Sequence, residues 1–128
     1  MKILTKAEDQ IMQILWKLKK AFVKDILDQM EEPRPAYNTV STIVRILVKK
    51  GFVGYLAYGK THKYHPVIEK NTYSNFYLKH FLSGYFGGSF QNLVSFFARE
   101  NEIDPVELEE MIKKVEKELK DTEHREDE

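Results

Sequence analysis

Asn38-Thr39-Val40-Ser41-Thr42-Ile43-Val44-Arg45-Ile46-Leu47-Val48-Lys49-Lys50-Gly51 is the stretch on which the reading of this chain turns. Val40, Ile43, Val44 and Leu47 recur at i, i+3, i+4 and i+7, the apolar stripe of a helix with one face to bury. Lys49-Lys50-Gly51 closes it, with cations at the negative helix end and a glycine free to adopt positive φ. At about 100° per residue, Ile43, Val44 and Leu47 fall within roughly 60° of Val40, whereas Asn38, Thr42, Arg45 and Lys49 fall roughly 140–200° away. That opposite face is short, polar and cationic. Asn and Arg side chains can bond adenine and guanine edges in pairs, Thr can touch a thymine methyl or a phosphate, and a helix N-terminus attracts phosphate. Thr39 and Ser41 flank the face and suit phosphates.

A polar helix face alone is an ordinary solvated surface, so its neighbours decide. Upstream, Val23, Ile26, Leu27 and Met30 form a second stripe that Glu31-Glu32-Pro33 ends, since proline cannot continue a helix. Before it, Ile11, Ile14, Leu15 and Leu18 form a first, and Thr5-Lys6-Ala7-Glu8 reads as its capping box. Downstream the period changes. Residues 52–58 and 62–67 are rich in aromatic and β-branched side chains and flank Gly59-Lys60-Thr61, which predicts a β-hairpin. Three helices followed by a hairpin within about 67 residues is the order of a winged helix-turn-helix. Lys60, His62 and Lys63 lie at the hairpin tip, where a wing would flank the duplex backbone or minor groove.

The second half is helical again. The pattern predicts an aromatic helix from Asn71 to about Leu82, a glycine break at Gly84, Gly87 and Gly88, a short helix from Phe90 to Arg99, and a last helix opened by Asp104-Pro105-Val106-Glu107. Leu108, Met111 or Ile112, Val115 and Leu119 stripe one side of that last helix, and Asp121 to Glu128 reads as a frayed charged tail. Such short helices cannot close a core of their own, so their stripes should pack against a second copy of the chain. The expected architecture is mainly α with a small β-hairpin wing. A winged helix-turn-helix DNA-binding domain (1–70) is followed by a helical dimerisation domain (71–128).

Charge follows the same division. The 128 residues hold 20 Lys+Arg and 20 Asp+Glu, yet residues 1–70 carry 13 basic and 7 acidic side chains and residues 71–128 the reverse. From Pro33 to Ile68 there are six basic residues and no carboxylate. This asymmetry points to a polyanion partner of the first half, with the acidic half held off it. A chain 42% hydrophobic and 31% charged is an ordinary globular composition. With no run of about 18 apolar residues and no signal-peptide h-region, membrane insertion is not expected and the cytoplasm is.

Enzyme readings find little support. There is no cysteine, no Gly-rich phosphate loop and no glycine-flanked serine nucleophile. His62, His65, His80 and His124 lack metal-ligand spacing, and His62 and His65 point to opposite faces of a strand. No catalytic residue, metal or cofactor is expected. A ligand pocket among the aromatics of the second half, or a winged-helix module docking on an acidic protein, are the competing readings.

Several strings also resemble the penicillinase-repressor (BlaI/MecI/CopY) family of winged-helix regulators. They are Ala7-Glu8-Asp9-Gln10-Ile11-Met12-Gln13-Ile14-Leu15-Trp16, Asn38-Thr39-Val40-Ser41-Thr42-Ile43 with Lys49-Lys50-Gly51-Phe52-Val53, Lys63-Tyr64-His65-Pro66-Val67, and Phe90-Gln91-Asn92-Leu93-Val94-Ser95-Phe96-Phe97. The resemblance covers about residues 4 to 119. It implies a homodimeric transcriptional repressor on a palindromic double-stranded DNA operator, with the reading region at Asn38, Thr39, Ser41, Thr42 and Arg45. Copper-responsive members sense metal through C-terminal cysteines, which this chain lacks. The β-lactam-responsive members are inactivated by proteolysis triggered through a membrane sensor. The corresponding bond here is Phe96-Phe97, although Phe96 stands where those proteins carry Asn.

Overall fold

The structure is a computed structural model that describes residues 1–126, with side chains through residue 123. Its elements run α1 (Lys6–Leu18), α2 (Val23–Asp28), α3 (Tyr37–Lys49), β1 (Val53–Tyr58), β2 (Thr61–Pro66), α4 (Lys70–Phe86), α5 (Phe90–Glu100) and α6 (Pro105–Glu126). They form two compact units, Met1–Leu78 and Lys79–Glu128, and the chain passes from one to the other within α4.

In the first unit, local signals decide where each helix begins and ends. Thr5 Oγ1 accepts from the Glu8 amide at 3.2 Å while the Glu8 carboxylate accepts from the Thr5 amide at 2.8 Å, completing the capping box. α2 starts with the Asp25 carboxylate accepting from the Phe22 amide at 2.9 Å. α3 stops at Gly51 (φ +83), with the Phe52 amide bonded to the Leu47 carbonyl and the Gly51 amide to Val48. These two bonds are the Schellman arrangement that glycine's freedom at positive φ permits. The hairpin pairs Val53 with Pro66 through Tyr58 with Thr61, leaving Gly59-Lys60 as a two-residue turn. Gly59, at φ +62, occupies the position where such turns favour glycine.

The core joins these elements around Ile11, Met12, Leu15, Ile26, Val40, Val44, Leu47 and Phe52, all essentially sealed from solvent. Three long-range contacts complete it. Ala21 and Tyr64 exchange backbone hydrogen bonds of 2.9 and 2.7 Å, adding a one-residue rung to the wing. The Trp16 indole donates to the Ile68 carbonyl at 2.9 Å, and the Leu4 amide donates to the Tyr73 hydroxyl at 3.0 Å. Tyr73, at the start of α4, packs its ring against Trp16 and Phe52 and is buried, which is why the first unit extends to Leu78.

The second unit holds the rest of α4 with α5 and α6, and Leu82 is its buried hydrophobic residue. α4 continues through Gly84 to Phe86, so the expected break at Gly84 is absent. A single helical glycine costs only about 1 kcal/mol. Gly87 (φ +59) and Gly88 (φ +79) turn the chain instead. Ser89 then caps α5, its hydroxyl accepting from the Asn92 amide at 3.1 Å. α6 likewise runs through Asp121 to Glu126, where the sequence suggested fraying. Asp127, Glu128 and the side chain of His124 lie outside the described residues. No helix among the described residues is long and apolar enough to cross a membrane.

Candidate nucleic-acid interface

α3 buries Val40, Val44 and Leu47 and turns Asn38, Thr39, Thr42, Arg45 and Lys49 to solvent, as the helical angles require, with Ser41 half-buried at the edge. Its outward side chains are partly ordered from within. The Thr42 hydroxyl donates to the Asn38 carbonyl at 2.9 Å, and Arg45 Nε lies 3.4 Å from the Ser41 carbonyl. The first keeps the Thr42 lone pairs facing out as acceptors; the second leaves the forked end of the guanidinium free for a partner.

The start of α3 differs from those of α1 and α2. Its N-cap is Ala36, no side chain caps the first turn, and no carboxylate lies in it, whereas α1 and α2 are closed by Glu8 and Asp25. Apart from the Thr39 amide, which bonds the Ala36 carbonyl at 3.1 Å, the first-turn amides and the positive end of the helix dipole therefore remain available to an anion.

Between α3, the start of α2 and the wing lies an open notch of about 680 Å³. Of the residues singled out from sequence, Ser41, Arg45, Lys60 and His62 line it together. Asn38, Thr39, Thr42 and Lys49 lie outside it on α3, and Lys63 lies half-buried on β2 with its Nζ 5.4 Å from the centre of the Phe22 ring. His62 stacks on Tyr55 at 4.3 Å with the rings 9° apart, so its imidazole is oriented by the wing.

Lys24, Tyr37 and Tyr64 also line the notch, and sequence reasoning overlooked them. Tyr37 was legible: Tyr37, Ser41 and Arg45 are spaced by four and share one edge of α3. Lys24 and Tyr64 come from α2 and β2, and no local pattern connects them to α3. Burial pushes the Tyr64 phenol pKa up, and the Arg45 guanidinium opposes that shift.

The second unit presents a different surface. α5 and α6 enclose an apolar groove of about 460 Å³ lined by Phe90, Leu93, Val94, Phe97, Ile103, Leu108 and Val115 among others. Met111, Ile112, Val115 and Leu119 are each 45–62% exposed along α6. The Phe96-Phe97 bond lies inside α5. Phe96 packs on Phe86 at 5.4 Å, Phe97 lines the groove, and the Phe97 carbonyl accepts from both the amide and the side chain of Asn101.

The sequence profile of the penicillinase repressor family matches residues 4–117. The chain belongs to that family. Family members are transcriptional repressors, not enzymes. Among its relatives, the methicillin resistance regulatory protein MecI of Mammaliicoccus sciuri is 27% identical over 109 residues, covering 84% of this chain and 89% of that protein. MecI of Staphylococcus aureus strain N315 is 26% identical over the same shares of the two chains. The penicillinase repressor of Bacillus licheniformis is 22% identical over 106 residues, or 82% and 83%. The DNA-binding domain of the repressor BlaI, solved in solution, aligns with 57% of this chain and 94% of its own at 23% identity and a TM-score of 0.48.

Proposed function

We propose that this chain is a homodimeric transcriptional repressor whose α3 reads the major groove of a palindromic operator while the wing follows the backbone. The observation that carries the reading is the outward face of α3. It combines Asn38, Thr42, Arg45 and Lys49 with an uncapped, carboxylate-free N-terminus, and a cationic notch opens beside it. Asn38 and Arg45 are the base readers. Thr39, Ser41, Lys49, Lys60, His62 and Lys63 hold phosphates.

Self-association through the second unit completes the reading. The exposed stripe of α6 and the groove beside α5 leave that unit with far more apolar surface open than enclosed, and a second copy would cover it. Two α3 helices then meet half-sites about one helical turn apart on the same duplex. The repressor acts in the cytoplasm and is released by an upstream signal such as cleavage of Phe96-Phe97, relayed from a membrane sensor. The helical setting of that bond means a protease must first unwind the middle of α5.

Selection from a random duplex pool tests the proposal, with a palindrome as the expected product. Arg45→Ala should then cost about 1–3 kcal/mol on the selected site and relax preference at one base pair per half-site. Lys60→Ala should weaken selected and random duplexes alike and flatten the salt dependence. Recovery of no preferred sequence, or equal losses on both duplexes for both variants, refutes the assignment.

A further inference from the structure

The notch contains a polar group that the fold leaves unused. Tyr64 is only 5% exposed, and its backbone N–H and C=O are both spent on Ala21. Its hydroxyl has no hydrogen-bond partner among the described residues. Because every sealed side-chain nitrogen and oxygen among those residues does have one, the hydroxyl must be the open end of an otherwise enclosed ring. The ring is held by its neighbours: Tyr55 lies 6.0 Å and His62 6.0 Å away, centroid to centroid. The donor is therefore reached from the notch, where water or an anion can accept from it.

The surroundings specify the partner's charge. Lys24, Arg45 and Lys60 line the notch with the hydroxyl-bearing Tyr37, Ser41 and Thr61, and its single carboxylate, Asp25, is engaged by the Phe22 amide. We propose that the notch is a seat for one phosphodiester of bound DNA, in which the Tyr64 and Tyr37 hydroxyls donate to the phosphate oxygens and Lys24 and Lys60 supply the countercharge. The proposal deepens the repressor reading and rests on it. It adds two phosphate-binding residues, of which Tyr37 shares the helical spacing of Ser41 and Arg45 and Tyr64 is marked by no pattern in the sequence. A phenol on a packed ring is also a better locator than a lysine. It donates from one fixed point, whereas an ammonium on a four-carbon stem follows the strand as the DNA moves.

Tyr64→Phe and Tyr37→Phe test it, each removing one hydroxyl and keeping the ring. Both are assayed by fluorescence anisotropy on the selected operator and on a scrambled duplex, and then on operators in which each phosphate in turn is replaced by a neutral methylphosphonate. Each variant is expected to lose about tenfold on operator and scrambled duplex alike, as for a hydrogen bond to a charged group. In the wild type, one phosphate per half-site should be the position whose neutralisation costs most. At that position alone, the loss from neutralisation should shrink when Tyr64 is Phe.

Tyr64→Phe binding as tightly as the wild type, with Tyr37→Phe doing the same, overturns the seat. So do fully additive losses at every phosphate. Thermal melts and Trp16 emission show whether either variant is damaged; if Tyr64→Phe is, Tyr37→Phe decides, since its ring is 52% exposed. Inorganic phosphate is the second probe. Saturable shifts of the Tyr64 and Tyr37 ring resonances in the DNA-free chain, with no change in DNA affinity for either variant, would give the site to a free anion and overturn the proposal. A wild type that shows no preference for any sequence refutes the repressor reading separately, because the losses on scrambled duplex still report on the seat.

Discussion

Glu8 offers a perturbation whose size follows from the geometry. Its carboxylate is enclosed, with 5% of the side chain exposed, and it accepts from the Thr5 amide at 2.8 Å and from Lys50 Nζ at 2.8 and 3.1 Å. It thus joins the first turn of α1 to the end of α3, 42 residues apart. Breaking a fully buried pair costs about 3–5 kcal/mol, but Lys50 keeps 33% of its side-chain surface and can rehydrate, so about 1–2 kcal/mol is expected for the pair here. Loss of the cap adds about 1 kcal/mol. Glu8→Gln, which keeps an oxygen for the Thr5 amide, should therefore destabilise by about 1–2 kcal/mol and Glu8→Ala by about 2–3 kcal/mol.

The pH dependence sharpens this prediction. Burial would raise the Glu8 pKa, but the Lys50 and Thr5 hydrogen bonds outweigh it and hold the folded value below the ordinary 4.5. A carboxyl depressed in the folded state contributes stability that is complete above its unfolded pKa and is lost as pH falls through its folded pKa. The gap between wild type and Glu8→Gln should be full at pH 7 and close progressively below about pH 4.5. Trp16, the single tryptophan, lies in the same unit and reports urea unfolding by its emission. A Glu8→Gln midpoint equal to wild type at pH 7, or a gap that stays the same at pH 3, would refute the reasoning.

Gly84→Ala should stabilise the chain by about 0.5–1 kcal/mol, because Gly84 is helical and an added Cβ meets nothing within 4 Å. Gly88→Ala should do the reverse by about 1 kcal/mol, since L side chains disfavour φ +79; thermal melts followed by circular dichroism separate the two signs. Leu119→Glu, at an α6 residue 62% exposed, should convert the proposed dimer to monomer in sedimentation velocity and weaken operator binding more than tenfold while leaving the Trp16 unfolding midpoint in place. A dimer of unchanged stability in that variant would remove α6 from the self-association surface.

Much of this was legible one residue at a time. Thr5 and Glu8 stand three apart, Gly51 follows two lysines, Gly59-Lys60-Thr61 separates two strand patterns, and the stripe of α3 separates its buried from its exposed face. Each is a signal between residues within about one or two turns of each other, and each appears within a residue of where it was read, Thr61 opening β2 instead of closing the turn. Gly84 misled because a glycine is only weakly unfavourable in a helix, and a neighbouring pair at positive φ decides where the turn comes. Lys50 was legible as a cation at a helix end, but not as the partner of Glu8.

Local periodicity and turn chemistry determined the order of helices and hairpin, the face of α3 that meets solvent, and the separation of basic from acidic halves. Tertiary structure alone decided that Ala21 extends the wing, that Tyr73 and the Leu4 amide bind the start of α4 to the first unit, and that Lys24, Tyr37, Arg45, Lys60 and Tyr64 surround one notch. The physical reason is range. Helix and strand periods couple residues a few positions apart, whereas a shared cavity or a buried hydrogen bond couples residues whose proximity exists only after the chain has closed around its core.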